Sequence, residues 1–238
     1  MSDWNEFLTS VKQAEAELRN PKEMWYRGHS NKDWTLIPSL MRETDWEKKE
    51  KELFFEFKMT ASRLFEKRTS DWEILFDMQH YWVPTRLLDW SSVLGVAIAF
   101  ILHDDPDSSA DSALFVLDPK RLNLLSGRDE IINVPEDKVY EYQTIYWDHR
   151  PIRIEKPLAI RPGDISDRIR AQKGVFTVHG IPDIGFTGDV EACIRKVILP
   201  AGAKEEAKGF LKWANLDEYT IYPDIVGMAR HIKRKILK

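Results

Sequence analysis

The chain has 238 residues, of which 43% are hydrophobic and 31% are charged, with a net charge of −4. This length favours one large domain with a sizeable hydrophobic core over two small domains. The net charge excludes a general electrostatic attraction to nucleic acid, and the single cysteine, Cys193, excludes an intramolecular disulfide. The sequence shows neither a signal-peptide pattern nor a membrane-spanning segment, so we expect a cytoplasmic protein without membrane contact.

The first half of the sequence is patterned for helices. Apolar residues at helical spacing predict a helix over residues 3–19 and another over residues 46–65. Residues 70–73, Ser-Asp-Trp-Glu, fit a capping box and therefore predict a helix that runs from there to about His80. Residues 93–102 are apolar on nearly every side, which predicts a buried helix.

The second half is richer in strands. We predict helices over residues 164–172 and 203–213, and a last helix that begins at Pro223. The predicted extended segments lie at residues 23–28, 85–89, 113–117, 158–160, 175–178 and 192–199. The order predicts an α+β fold in a single domain over residues 1–238, in which a helix-rich N-terminal half packs on small, mostly antiparallel sheets that surround a cleft.

A first polar cluster lies at residues 25–30, where Arg27 precedes Gly28 at the end of a predicted strand. An arginine there can bind a phosphate or a carboxylate through two parallel hydrogen bonds, and a glycine lets a ligand approach the backbone. The alternative is an arginine that pairs with a nearby acid.

A second polar cluster lies at residues 79–92, between two apolar segments. Gln79 and His80 lie at a predicted helix end, where His80 either transfers a proton or orients a ribose, or else is a structural histidine. Further along, Arg86 and Asp89 either form an ion pair that braces the loop, or Asp89 accepts hydrogen bonds from a ligand.

Other candidate residues lie in the second half. Gln172 precedes a predicted strand at a helix-to-strand junction, from which an amide can reach a cleft or cap the helix. Glu191 is an acid beside a strand-like segment. A metal-dependent nuclease needs clustered carboxylates, which Asp104, Asp105 and Asp107 could supply, although a solvated turn fits residues 104–108 better. We therefore expect no metal site.

Several blocks of the sequence resemble the FRG domain, a bacterial and phage module named for its aromatic-Arg-Gly motif. One departure is Trp82, because the family usually has glycine at that position, and we expect a bulkier loop after His80. The resemblance covers roughly residues 22–230, and the blocks that carry it are residues 26–30, 34–40, 79–81, 84–90, 170–176 and 222–224.

The layout is also similar to ADP-ribosyltransferase-like folds, which place an arginine on an early strand, hydroxyls before an apolar helix, and an acid or amide on a third strand. The resemblance implies that NAD binds in the cleft as a substrate, with its diphosphate on Arg27. It implies that His80 and Asp89 orient the ribose. The further residues that the resemblance assigns to NAD binding are Gly28, Gln79, Thr85, Arg86 and Ser91.

The third position of this layout has two candidates. Cleavage of the nicotinamide–ribosyl bond passes through a cationic ribosyl centre, so the chemistry favours the acid Glu191, whereas the resemblance favours Gln172. The resemblance implies an enzyme that transfers ADP-ribose to a protein or nucleic-acid acceptor, in phage defence or as a toxin. The alternative is a non-catalytic module in which the same residues sense a nucleotide or another ligand.

Overall fold

The structure, a computed structural model, describes residues 2–62, 70–104, 109–134, 141–150, 153–163, 166–180 and 186–237. The helices in these ranges are α1 (Asp3–Glu17), α2 (Trp46–Thr60), α3 (Asp71–His80), α4 (Leu94–Asp104), α5 (Pro119–Leu124), α6 (Tyr142–Tyr146), α7 (Asp167–Gln172), α8 (Lys204–Trp213), α9 (Glu218–Ile221) and α10 (Ile225–Ile236). The strands are β1 (Trp25–His29), β2 (Leu87–Ser91), β3 (Ser112–Leu117), β4 (Ile132–Asn133), β5 (Leu158–Arg161), β6 (Gly174–Val178) and β7 (Ile194–Leu199).

These strands form one sheet in the order β4-β5-β6-β2-β1-β3-β7. Every neighbouring pair is antiparallel except β4 and β5, which run parallel. The predicted α+β class and the mostly antiparallel pairing are therefore confirmed. No helix within the described ranges has the length and apolar character needed to cross a membrane.

The sheet is weakly joined at its centre. Strands β1 and β2 are paired only at Tyr26 and Ser91, whereas β1 pairs with β3, and β2 with β6, over five residue pairs each. The small sheets predicted from the sequence are thus two parts of one sheet, β4-β5-β6-β2 and β1-β3-β7. The two parts separate beyond the single central pair.

Each part of the sheet has its own core on the face that α4 and α3 cover. Helices α1, α4 and α8 pack on β3 and β7, with Phe7, Ile98 and Val197 in the centre of that core. Helices α3 and α6 pack on β5 and β6 around Trp72 and Phe176. Since these two helical layers are separate, a space remains between them above the point where the strands diverge.

The helix boundaries follow local capping. Ser70 accepts a hydrogen bond from the backbone N–H of Glu73, whose side chain accepts one from Ser70 N, so the predicted capping box is confirmed and α3 ends at His80 as expected. The prediction that Pro223 begins the last helix is wrong. Asp224 caps it instead, because its Oδ1 accepts the N–H of Gly227 at 2.7 Å, and α10 begins at Ile225.

Arg86 forms the most buried ion pair described in the protein, with Glu50 of α2. Its Nε donates to Glu50 Oε1 at 2.7 Å, its Nη2 donates to Oε2, and its Nη1 donates to the carbonyl of His179. Tyr142 and Trp147 also donate to the Glu50 carboxylate, at 2.6 Å and 2.9 Å. The pair fixes α2 and α6 to the end of β2, because it satisfies both charges inside the core.

Two sequence predictions are corrected by this pair. Of the two alternatives for Arg86 and Asp89, the ion pair between them is wrong, since the Arg86 guanidinium is buried against Glu50 and Asp89 contacts other partners. The predicted extended segment at residues 85–89 begins two residues later, at Leu87. Thr85 and Arg86 precede the strand because the Thr85 hydroxyl accepts the N–H of Leu87 in a local turn.

We predict that Glu50→Gln lowers the free energy of unfolding by about 3–5 kcal/mol, because it leaves the buried Arg86 charge without its counter-ion. Urea denaturation followed by tryptophan fluorescence measures this change. Glu52→Gln is the matched control on the same helix, since the exposed pair of Glu52 with Lys48 contributes at most about 1 kcal/mol. Equal losses of unfolding free energy in the two variants would contradict the stabilising role given to the buried Arg86–Glu50 pair.

Candidate functional site

A cleft of about 390 Å³ lies where β1 and β2 separate, between α3 and α4. Its volume falls within the range of roughly 300–1,000 Å³ that is typical of small-molecule sites. It is lined by residues from three strands, three helices and the loop after α3, and by Ser39. The polar and charged lining residues used below are Arg27, Gln79, His80, Asp89, Arg168 and Gln172.

Arg27 bridges the gap between the two central strands. Its Nη1 donates to the backbone carbonyl of Asp89 at 2.5 Å and lies 3.7 Å from Asp89 Oδ2, while its Nε donates to His29 Nε2 at 3.1 Å. About one fifth of the Arg27 side chain is exposed, towards the cleft. The Arg27 side chain therefore takes the place of backbone hydrogen bonds between β1 and β2 at this point. It also brings a positive charge into the floor of the cleft.

His29 remains uncharged beside this arginine. Burial, reinforced by the charge of Arg27, lowers the pKa of His29 to about 3. The neutral ring can accept the Arg27 N–H, which an imidazolium could not do. The ring also packs edge-on against Phe115 and Trp34, so the position of Arg27 is fixed from the side away from the cleft.

Asp89 is oriented by a chain of hydrogen bonds that starts in the backbone. Leu87 N donates to Thr85 Oγ1, Thr85 Oγ1 donates to Gln79 Oε1 at 2.5 Å, and Gln79 Nε2 donates to Asp89 Oδ2 at 2.6 Å. These hydrogen bonds fix the amide orientation of Gln79, because its Oε1 accepts from Thr85 while its Nε2 donates to Asp89. Among the described residues that line the cleft, Asp89 alone carries a carboxyl group, and its side chain is about half exposed.

His80 lies at the C-terminal end of α3 and is half-buried in the cleft wall. Burial, together with the charge of Arg168, lowers its pKa below the ordinary value of 6.5. His80 is therefore mainly neutral at pH 7. A neutral imidazole can accept a proton, which is the property that a general base requires.

Gln172 enters the cleft at the end of α7. Ser91 Oγ donates to the Gln172 carbonyl at 2.7 Å, and Lys173 takes the left-handed conformation (φ 48°) that ends the helix. The Gln172 Nε2 atom is buried, and no described residue accepts a hydrogen bond from it. A buried donor of this kind requires an acceptor, which a ligand in the cleft would supply.

Three residues assigned to NAD binding from the sequence have structural roles here. Thr85 and Arg86 are fully buried and do not line the cleft. Ser91 is also buried, and its hydroxyl is occupied by the Gln172 carbonyl and by the N–H of Val93. Gly28 lines the cleft, but its missing side chain chiefly makes room for α4: a Cβ at Gly28 would lie 2.1 Å from the Ala97 carbonyl oxygen.

Glu191 lies outside the cleft that holds the other candidate catalytic residues. It is exposed in a 3₁₀ helix, Gly188–Cys193, and lines a second groove with Trp34 and Phe186. That groove, about 820 Å³, is larger than the cleft but receives none of the other predicted site residues. Of the two candidates for the third position, the structure brings Gln172 to Arg27 and Asp89.

The carboxylates proposed for a nuclease fall largely outside the described residues. Asp105 and Asp107 belong to the undescribed segment 105–108, and only the backbone of Asp104 is described, at the end of α4. Within the part of the chain that the structure describes, no group of three or more metal-binding side chains comes together.

Arg168 and Trp82 are among the cleft residues that were not assigned a role from the sequence. Arg168 precedes Gln172 by four residues, and residues four apart lie on the same face of a helix, so the spacing could have identified it. Trp82 has φ 61° and an exposed ring. This left-handed conformation, which glycine adopts at little cost, explains why a glycine suits the position.

Comparison with known proteins gives one family match. Residues 22–110 match the FRG domain, which covers β1, β2, α3 and α4 and therefore Arg27, Gln79, His80 and Asp89. Arg168 and Gln172 lie beyond the matched segment. No curated protein and no solved structure matches the chain.

We predict that the protein loses stability as the pH falls from 7 to 5. Burial lowers the pKa values of both His29 and His179 to about 3, whereas unfolded histidines titrate near 6.5. Between these values only the unfolded chain binds the protons, so this stability is complete above about pH 6.5 and is lost on acidification.

The expected loss reaches about 1.4 kcal/mol per pH unit for each of the two histidines. Urea denaturation at several pH values measures the slope, which should become smaller in His179→Gln. The exposed His149 provides the control, since His149→Gln should leave the slope unchanged. A stability that is constant from pH 7 to pH 5 would contradict the burial of neutral histidines.

Proposed function

We propose that the cleft binds NAD and cleaves it in the manner of an ADP-ribosyltransferase, starting from the match of residues 22–110 to the FRG domain. The observation that carries the proposal is the convergence of Arg27, His80, Asp89 and Gln172 in one cleft. These residues come from β1, α3, β2 and α7, far apart in the sequence. Arg27 on β1 and the apolar helix α4 after β2 support the layout that the resemblance implies, although Gln172 ends α7, just before β6, and is not itself on a strand.

The residues present fit NAD as a ligand. The guanidinium of Arg27 suits a diphosphate, because an arginine fork binds phosphate oxygens through charge-assisted hydrogen bonds. The buried donor of Gln172 suits an oxygen of the ribose or of the carboxamide group. Aromatic side chains, among them Phe76, Trp90 and Phe176, line the cleft and offer apolar contacts to the rings of a nucleotide.

The chemistry assigned to these residues is cleavage of the bond between ribose C1′ and the nicotinamide nitrogen. The bonding electrons leave with nicotinamide, and water or an acceptor nucleophile forms the new bond to C1′ and gives up a proton. Asp89, held by Gln79, provides the negative charge that stabilises the cationic ribosyl centre. His80, neutral at pH 7, accepts the proton.

A protein or nucleic-acid acceptor, a cytoplasmic location, and a role in phage defence or as a toxin belong to the same proposal. An enzyme that consumes NAD or modifies a macromolecule would harm a cell or an infecting phage in the compartment where NAD is present. The second candidate function is ligand sensing without turnover. It is favoured by the amide of Gln172 in the third position, where an acid would stabilise the ribosyl cation better.

The test is to incubate the purified protein with NAD, measure free nicotinamide, and run a thermal-shift titration in parallel. We expect nicotinamide release that falls about 100-fold in kcat in Gln172→Ala, the size typical for the loss of one preorganised polar contact in the transition state. In Arg27→Gln we expect a weaker affinity by about 10- to 100-fold, since a hydrogen bond to a charged group contributes about 1.5–3 kcal/mol.

Glu191→Gln is the matched comparison, because Glu191 lines the second groove and its charge should not affect release. If turnover were lost in Glu191→Gln but not in Gln172→Ala, Glu191 would be the residue that takes the third position of the layout. A thermal shift without release of nicotinamide would support the sensing function. If NAD gave neither release nor a thermal shift, the proposal would be wrong.

A further inference from the structure

Arg168 lies in the wall of the cleft between two aromatic rings. Its guanidinium carbon is 4.7 Å from the ring centre of Tyr222 and 5.5 Å from that of Trp82. About 15% of the side chain is exposed. Both distances are within the range of cation–π contacts, so the rings favour this position of the guanidinium before any ligand binds.

The polar contacts of Arg168 leave most of its hydrogen-bonding capacity unused. Its Nη1 donates to the His80 carbonyl at 3.4 Å, and Asp224 Oδ2 lies 4.0 Å from the same atom. A guanidinium has five N–H donors, and among the described residues only this one long hydrogen bond is made. A mostly buried cation with so few partners is suited to an anion in the cleft.

The residues around Arg168 are anchored from outside the cleft. Asp224 caps α10 through Gly227 N, and the ring of Tyr222 packs edge-on against Phe100 of α4. Gly227 allows this arrangement, because a Cβ there would lie 1.9 Å from the Tyr222 carbonyl oxygen. The start of α10 therefore sets both the aromatic ring and the carboxylate that face Arg168.

The side chains that line the cleft carry more positive than negative charge. Arg27 and Arg168 line it together with one described carboxyl group, that of Asp89, and His80 is mainly neutral at pH 7. Each arginine has one carboxylate nearby, Asp89 at 3.7 Å from Arg27 and Asp224 at 4.0 Å from Arg168, and neither distance is short enough for a direct hydrogen bond, so both guanidinium groups can still bind an anionic ligand.

We propose that Arg168 is a second phosphate-binding arginine, and that the cleft selects ligands that carry a diphosphate over nucleosides that carry none. This inference rests on the proposed function only in treating the cleft as a nucleotide site. It assigns to Arg168 a positioning and specificity role that neither the family match nor the sequence patterns provide.

The experiment is isothermal titration of the wild-type protein, Arg168→Gln and Arg170→Gln with ADP-ribose, inorganic pyrophosphate and nicotinamide riboside. Arg170 is the matched control, since it lies on the same helix with more than half of its side chain exposed. We expect Arg168→Gln to weaken ADP-ribose and pyrophosphate by about 10- to 100-fold, the effect of losing charge-assisted hydrogen bonds. It should leave nicotinamide riboside unchanged, and Arg170→Gln should change none of the three.

If Arg168→Gln weakened the binding of all three ligands equally, the substitution would have disrupted the cleft as a whole, and the inference would be overturned. Unchanged binding of pyrophosphate and ADP-ribose would also overturn it. If Arg168→Gln fails to fold, Arg168→Lys takes its place, with a smaller loss expected because lysine keeps the charge without the planar fork. NAD turnover with an unaltered KM in Arg168→Gln would overturn this inference alone. Pyrophosphate binding that depends on Arg168, without nicotinamide release, would overturn the enzymatic proposal alone.

The ring of Trp82 provides an independent prediction. Trp82→Gly should weaken ADP-ribose binding several-fold, because it removes the ring that restrains Arg168. The melting temperature should change by no more than about 3 °C, since glycine adopts φ 61° without strain and the ring is exposed. Trp213→Ala, which removes a more exposed tryptophan on α8, is the control and should not affect binding. Unaltered affinity in Trp82→Gly would contradict the role given to the ring.

Discussion

The two central strands of the sheet meet at one residue pair, and the arrangement of the cleft depends on what fills the gap beyond it. An open gap in a sheet would leave backbone polar groups without partners, which is costly in a buried position. Arg27 meets part of this need by donating to the Asp89 carbonyl. The same contact brings a guanidinium between the strands and requires His29 to stay neutral beside it. The structural solution and the positive charge of the candidate site therefore come from one side chain.

The polar residues around the cleft divide into those that support and those that face a ligand. Thr85 and Ser91 are buried, and each uses its hydroxyl to orient a residue of the cleft, Gln79 in one case and Gln172 in the other. Arg86 lies deeper and joins the end of β2 to α2. Gln79 connects the two groups, because it receives a hydrogen bond from Thr85 and passes one to Asp89. A site built in this way holds its geometry before the ligand arrives.

The sequence predicted well what local patterns determine. The capping box at Ser70 and the helix end at His80 depend on neighbouring residues, and both were correct. The partner of Arg86 could not be predicted, because Glu50 lies 36 residues away and meets it only through tertiary packing. Glu191 was favoured on chemical grounds, but a sequence does not show which groove a side chain lines. Arg168 was within reach, since its four-residue spacing from Gln172 places both on one face of α7.

The strand order has a consequence for the segment that matches the FRG domain. Residues 22–110 contain β1 and β2 but neither β3 nor β6, the strands that flank them on either side. Cut out as a fragment, this segment would expose the hydrogen-bonding edges of both strands and the side chains of Trp25 and Trp90, which are almost fully buried in the complete sheet. Such edges pair with other chains, so the fragment would aggregate rather than fold independently. The matched segment is thus one part of a folding unit, and the strands that complete its sheet come from the rest of the chain.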